Sequence, residues 1–154
     1  MEREPPTADA RPFSQTLEMP TWLITRINAY SHRLLAEGFA AADARGHHYR
    51  LLAALEEFGP ASQAALGRRT SIDRSDVVAA LNELAAHGLI QRSHDPDDRR
   101  RNIITITPAG TEKLRMLHDV LAGIQDKLLA PLPAADRTKL IKLLTRLLEH
   151  EAQP

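Results

Sequence analysis

Residues 62–107 read SQAALGRRTSIDRSDVVAALNELAAHGLIQRSHDPDDRRRNIITIT, and this stretch decides the fold. Ser62 is a natural N-cap, so a short helix is expected over residues 63–69. Thr70-Ser71-Ile72 reads as a tight turn. Asp73 is placed to cap the next helix, and Asp76 adds negative charge near the positive end of its dipole. Val77, Leu81 and Leu84 recur at helical spacing as a buried stripe, and Gly88 ends the helix. The period then changes. Leu89 to Arg92 is a short apolar-polar run, and Ile103 to Thr107 is β-branched throughout. The polar segment between them contains Pro96, so two strands joined by a long loop are predicted, a hairpin. Short helix, turn, helix and hairpin, in that order, make a winged helix-turn-helix.

The flanks are helical. Pro20 suits a helix N1 position, and Leu23, Ile27, Tyr30 and Leu34 follow at helical spacing, with the pattern extending to about Ala42. Another helix is expected from about His48 to Glu57, with Tyr49, Leu52, Leu55 and Phe58 facing inward, stopped by Gly59-Pro60. After the hairpin, Thr107-Pro108 reads as N-cap and N1. Leu114, Leu117, Leu121, Ile124 and Leu128 then form a coiled-coil-like seam. Pro131 and Pro133 break the chain before a last helix from about Ala134 to His150. The fold class is therefore mainly α with a small β-hairpin wing.

Composition agrees. The chain has 154 residues, 43% apolar but only 4% aromatic, with leucine and alanine abundant. Such a mix favours helices, because Leu and Ala lose little rotamer entropy in them. Without cysteine there is no disulfide framework, thiolate zinc site or thiol switch. No apolar run reaches the roughly 18 residues of a membrane span. The polar opening residues carry Pro5, Pro6 and Pro12 and read as a flexible arm without a signal segment, so a cytoplasmic protein is expected. Formal net charge is zero. That counts against nucleic acid unless charge is gathered on one face.

Two places gather it. In a helix-turn-helix the second helix lies in the major groove with its N-terminal residues at base edges. Opposite the buried stripe stand Ser75, Val78, Ala79 and Asn82, with Arg74 at the N-terminal end. Arg74 can donate two bonds to guanine, Ser75 can pair with several bases, and Val78 and Ala79 can touch a thymine methyl. The hairpin tip carries Arg99, Arg100 and Arg101 in a loop with no core to serve. Arginines of this kind enter the negative potential of a narrow minor groove. Asp95, Asp97 and Asp98 stand beside them and would repel phosphate unless used internally, for example in an Asp98–Arg100 pair that holds the arginine extended. Gln63, Arg68 and Arg69 flank the turn as phosphate ligands, and the helix start at Ser62 offers free N–H groups. From Gly67 to Arg101 there are seven arginines against six acids, so attraction depends on arrangement. The bland alternative is a pair of capping acids and a solvated charged turn.

On these residues the sequence resembles the MarR family of bacterial regulators, over about Thr21 to Glu149. The carrying stretch runs from Leu89-Ile90-Gln91-Arg92 through Asp95-Pro96-Asp97-Asp98-Arg99-Arg100 to Ile106-Thr107-Pro108-Ala109-Gly110. It matches an Asp-x-Arg wing tip, a strand, and a Thr-x-x-Gly helix opening, with Asp98 and Arg100 on the tip pair. Asp73-Arg74-Ser75 matches the start of the recognition helix. The resemblance implies a homodimer whose first and last two helices interlock, binding pseudo-palindromic double-stranded DNA. For many members it also implies repression relieved by a small organic, often phenolic or acidic, effector bound between the dimerisation helices and the DNA-binding lobe. It divides the chain into an arm (1–16), a first dimerisation helix (17–47), the winged lobe (48–107) and C-terminal dimerisation helices (108–154). The chain departs from the family at Val78, Ala79 and Ala80, where polar or basic residues are common, so base reading would lean on Arg74 and DNA shape.

Other clusters weigh less. His47 and His48 are adjacent and diverge by about 100° on a helix, so they make no metal-ligand pair, and no metal or cofactor is expected. Trp22, Arg26, Tyr30, Arg33, His47 and His48 are expected near the junction of the first two helices, as ligand-pocket candidates or as dimer core and solvated charge. No catalytic motif is present, so no enzyme is expected. The competing function is a helical dimeric module that binds another protein without specific DNA binding.

Overall fold

The computed structural model describes residues 18–152; the expected N-terminal arm lies outside them. The elements are α1 (Pro20–Ala41), α2 (Gly46–Phe58), β1 (Ala61–Ser62), α3 (Gln63–Thr70), α4 (Arg74–Ala86), β2 (Ile90–His94), β3 (Asn102–Ile106), α5 (Pro108–Leu128) and α6 (Ala134–Glu151). By internal contacts the chain divides at Leu34 and Leu35, so the first part of α1 is one unit and the rest another. In the first unit, Arg26 lies over Trp22 at 5.9 Å and Arg33 over Tyr30 at 5.3 Å. Both are cation–π pairs on one helix. Leu23, Ile24 and Ile27 are exposed there.

In the second unit the fully buried side chains Leu51, Leu52, Leu55, Leu66, Val77, Leu81, Leu84, Ile104 and Leu117 bring together α2, α3, α4, β3 and α5. The α4 stripe read from the sequence is thus core. Two other sequence readings are corrected. Phe58 does not face inward but is 56% exposed, with Arg69 stacked on its ring at 5.0 Å. The seam on α5 is no free coiled-coil stripe: Leu114 and Leu117 are buried in this chain's own core, and Ile124 is also buried. α6 is the reverse case, with no buried residue and Ile141, Leu143, Leu144, Leu147 and Leu148 all exposed.

The hairpin acquires a third strand. β1 pairs antiparallel with β3 (Ala61 opposite Ile104), and β3 with β2 (Arg92 opposite Ile104), giving the order β1-β3-β2. β1 has only two residues, so no alternation signals it, but it ties the start of α3 to the wing. Ser62 caps α3 as expected, its hydroxyl accepting from Ala65 N at 3.2 Å. Asp73 holds the N-cap position of α4, but its side chain makes no capping hydrogen bond. Between the two helices Ser71 takes a left-handed φ of 52°, which brings Ile72 into the core.

Thr107 anchors the start of α5. Its Oγ1 accepts from Gly110 N at 3.0 Å and donates to Gly88 O at 2.7 Å, while its N–H donates to Leu89 O at 3.1 Å. This latch fixes the turn between α4 and the wing, and Gly110 is required at it because a Cβ there would collide with the Leu89 carbonyl oxygen.

Candidate nucleic-acid interface

The start of α3, the start of α4 and the end of the wing's tip loop, where it enters β3, line a groove of about 880 Å³. Its lining includes Ser62, Gln63, Arg68, Asp73, Arg74, Arg100, Arg101 and Asn102. Four arginines and one aspartate make a local charge of +3 in a chain whose net charge is zero. Among the described residues, the guanidinium groups of Arg68, Arg74, Arg99 and Arg100 make no hydrogen bond or ion pair within the chain.

Two of the wing's three acids, Asp95 and Asp98, bond its own backbone. Asp98 Oδ1 accepts from Arg100 N at 3.0 Å, and Asp95 Oδ1 accepts from Asp97 N at 3.0 Å. The expected Asp98–Arg100 pair therefore exists, but through the backbone amide and not the guanidinium. Arg101 N donates to Asp98 O, Asp95 N donates to Arg101 O, and Arg101 Nε stands 3.9 Å from Asp95 Oδ2. The loop is closed by these bonds. A carboxylate that accepts local N–H groups is an Asx-type turn former, and here it sets the backbone that carries Arg99, Arg100 and Arg101.

Not every expected residue joins the groove. Ser75 and Ala79 are exposed on the outer face of α4, with Val78 half-buried beside them. Arg69 is occupied by Phe58. Asn82 is held by a residue that the sequence reading passed over: Arg92 Nη2 donates to its Oδ1 at 2.7 Å. The signal for Arg92 was its place two residues after Ile90 on a strand, which puts both on one face.

A second cavity, of about 450 Å³, lies among the start of α2, the end of α4 and the start of α5. Arg45, His48, Glu83, His87 and Lys113 surround an apolar floor of Leu52, Leu84 and Leu89. Of the six expected pocket residues, His48 alone is in this lining. Its Nδ1 accepts from Arg45 N at 3.2 Å, so Nε2 carries the hydrogen and donates to Glu83 Oε2 at 2.6 Å. Glu83 Oε1 accepts from Arg45 Nη2. Burial of the ring is the larger influence on His48 and outweighs the Glu83 bond, holding its pKa below the usual 6.5. The geometry agrees, because a proton on Nδ1 would displace the Arg45 amide. The Arg45 bond, then the His48 bond, holds the Glu83 carboxyl below its ordinary value.

A helix-turn-helix with a wing beside it, and a cationic groove between, is the winged-helix DNA-binding fold. Residues 43–101 match the sequence profile of the MarR family. A probable transcriptional regulator from Pseudomonas aeruginosa is 33% identical over 84% of this chain and 97% of that one, with a TM-score of 0.72. The chain belongs to the MarR family. It is similar to the HTH-type transcriptional repressor NicR of Pseudomonas putida, 31% identical over 65% of this chain and 63% of NicR, so it spans less than two thirds of that relative. The PcaV transcriptional regulator of Streptomyces coelicolor, in complex with its natural ligand, is 26% identical over 90% of this chain and 98% of that one, with a TM-score of 0.70. No helix among the described residues is long and apolar enough to cross a membrane.

Proposed function

We propose that the chain is a homodimeric repressor that binds a pseudo-palindromic double-stranded operator and is released by a small organic effector. The observation that carries this reading is the groove, where Arg68, Arg74, Arg100 and Arg101 converge with a single acid. Arg74 and Ser75 would meet base edges in the major groove, with Val78 and Ala79 against thymine methyls. Arg99 and Arg100 would enter the adjacent minor groove, and Ser62, Gln63 and Arg68 would hold phosphates. Repression is supported by the likeness to NicR, whose name states it.

Dimerisation is supported by apolar faces that one chain leaves uncovered. On α6, Leu143, Leu144, Leu147 and Leu148 are 43–69% exposed, and on α1 Leu23, Ile24 and Ile27 are 40–55% exposed. Contiguous apolar faces of this kind mark interaction sites, and a self-complementary face makes a twofold dimer. Such a dimer would set two α4 helices at the spacing of successive major grooves, about 34–36 Å. In the effector reading, the His48 cavity would seat an acidic molecule against Arg45, His87 and Lys113, close to the end of α4. The effector must favour a spacing that DNA does not, or it shifts nothing.

The test is a titration of the purified protein against DNA flanking its own coding region, at two salt concentrations, with random DNA as competitor. Tight, salt-sensitive protection of one palindrome is the expected result. Equal weak binding to all sequences, there and on genome-wide fragments, would leave the protein-binding module as the reading to pursue.

A further inference from the structure

The hairpin has one anchored edge and one loose edge. β3 is held by the fully buried Ile104 and by its pairing with β1. β2 is buried only at Ile90; Gln91, Arg92, Ser93 and His94 are all exposed, so no apolar side chain ties this edge to the lobe further out. One side-chain hydrogen bond crosses from it to the recognition helix, Arg92 Nη2 to Asn82 Oδ1 at 2.7 Å, the only one between β2 and α4 among the described residues. Arg92 is the middle residue of the five-pair β2–β3 ladder, opposite Ile104, and so starts from the inner face. Asn82 lies on the outer face of α4, seven positions after Ser75.

We propose that Asn82 and Arg92 are positioning residues whose bond fixes the angle of the wing to α4, and with it the separation of Arg100 from Arg74. The inference rests on the DNA-binding reading above. Without the bond the hairpin pivots on β3, and its tip must be ordered when DNA is met, a cost that a preorganised wing avoids. Asn82 itself does not read a base. A bidentate grip on adenine needs both the amide oxygen and the amide nitrogen, and the oxygen is committed to Arg92.

The test compares Asn82→Ala, Asn82→Asp, Arg92→Ala and the Asn82→Ala/Arg92→Ala double variant. Each is first shown to be folded by circular dichroism. The probe is the duplex that the wild-type protein enriches most from a randomised pool. Asn82→Ala and Arg92→Ala should each weaken binding by about three- to tenfold, and the double variant no further. Asn82→Asp should stay within about threefold of wild type, since a carboxylate still accepts from Arg92. The slope of log affinity against log salt should not change in either alanine variant.

Three results overturn the proposal. If Asn82 reads a base, Asn82→Asp loses more than Asn82→Ala. If Arg92 binds a phosphate, Arg92→Ala lowers the salt slope by about one while Asn82→Ala binds normally. If all four variants bind as wild type does, the bond positions nothing. A wild-type protein that enriches no duplex removes the DNA-binding reading itself, a failure visible in the wild-type arm alone.

Discussion

Replacing Gly110 with alanine sets two opposed effects against each other at one atom. Gly110 is the third residue of α5, where alanine would ordinarily stabilise a helix by about 1 kcal/mol. At this position the added Cβ collides with the Leu89 carbonyl oxygen and stands 2.7 Å from Ile106 Cγ1. The first neighbour is backbone and cannot rotate aside. It also accepts the Thr107 N–H, so moving it loosens the latch that Thr107 makes to Gly88, Leu89 and Gly110. Overpacking of this kind costs about 1–3 kcal/mol, and a weakened Thr107 cap adds about 1 kcal/mol. After the gain in propensity, Gly110→Ala is destabilised by about 1–3 kcal/mol, a fall in melting temperature of roughly 3–10 °C for a chain of this length. Gly123 is the internal control: it lies on the same helix with nothing within 4 Å of a Cβ, so only propensity acts. Gly123→Ala should therefore melt about 1–4 °C higher than wild type. Both are measured by circular dichroism melts at one protein concentration, because the melting of an oligomer depends on concentration. A Gly110→Ala protein that melts at or above wild type would refute the close approach of α5 to the α4–β2 turn.

Three further outcomes are expected. Arg100→Ala and Arg74→Ala should each weaken operator binding by about 1–3 kcal/mol with an unchanged melt; full retention of affinity in a footprinting titration would remove that arginine from the interface. The unfolded chain protonates His48 before the folded chain does, because burial holds the folded value below 6.5, so this residue's contribution is present at neutral pH and is lost on acidification. Glu83 has the same sign lower down, below its ordinary 4.5. Between about pH 7 and about pH 5.5 the wild-type melting temperature should thus fall more steeply than that of His48→Gln, and parallel curves would discount the histidine. Leu147→Arg, at a side chain 57% exposed, should leave helical content intact and shift the sedimenting species from dimer to monomer; an unchanged dimer would place the interface elsewhere than α6.

What could be read from the sequence follows from what periodicity can and cannot encode. The α4 stripe of Val77, Leu81 and Leu84 was legible because a helix and its core face leave the same mark, a repeat near 3.6. Phe58 was misread because Tyr49, Leu52, Leu55 and Phe58 are each three apart, and every such step falls about 60° short of a full turn. Three steps carry Phe58 to the side opposite Tyr49, which is where it stands exposed, while the unnoticed Leu51 is fully buried. A periodic stripe also names no partner. The seam on α5 and the stripe on α6 look alike in sequence, yet Leu114 and Leu117 are covered by this chain and Leu147 and Leu148 are not. The same limit governs the wing, where counting charges from Asp95 to Arg101 suggests near neutrality. The carboxylates of Asp95 and Asp98 accept backbone amides of their own loop, and among the loop's arginines only Arg101 stands within ion-pair distance of an acid, Asp95 at 3.9 Å. Which acid meets which amide is set by the turn, and the turn becomes visible only when the chain is folded. A sequence with zero net charge can therefore carry a cationic groove, provided its acids are spent on structure where its arginines are not.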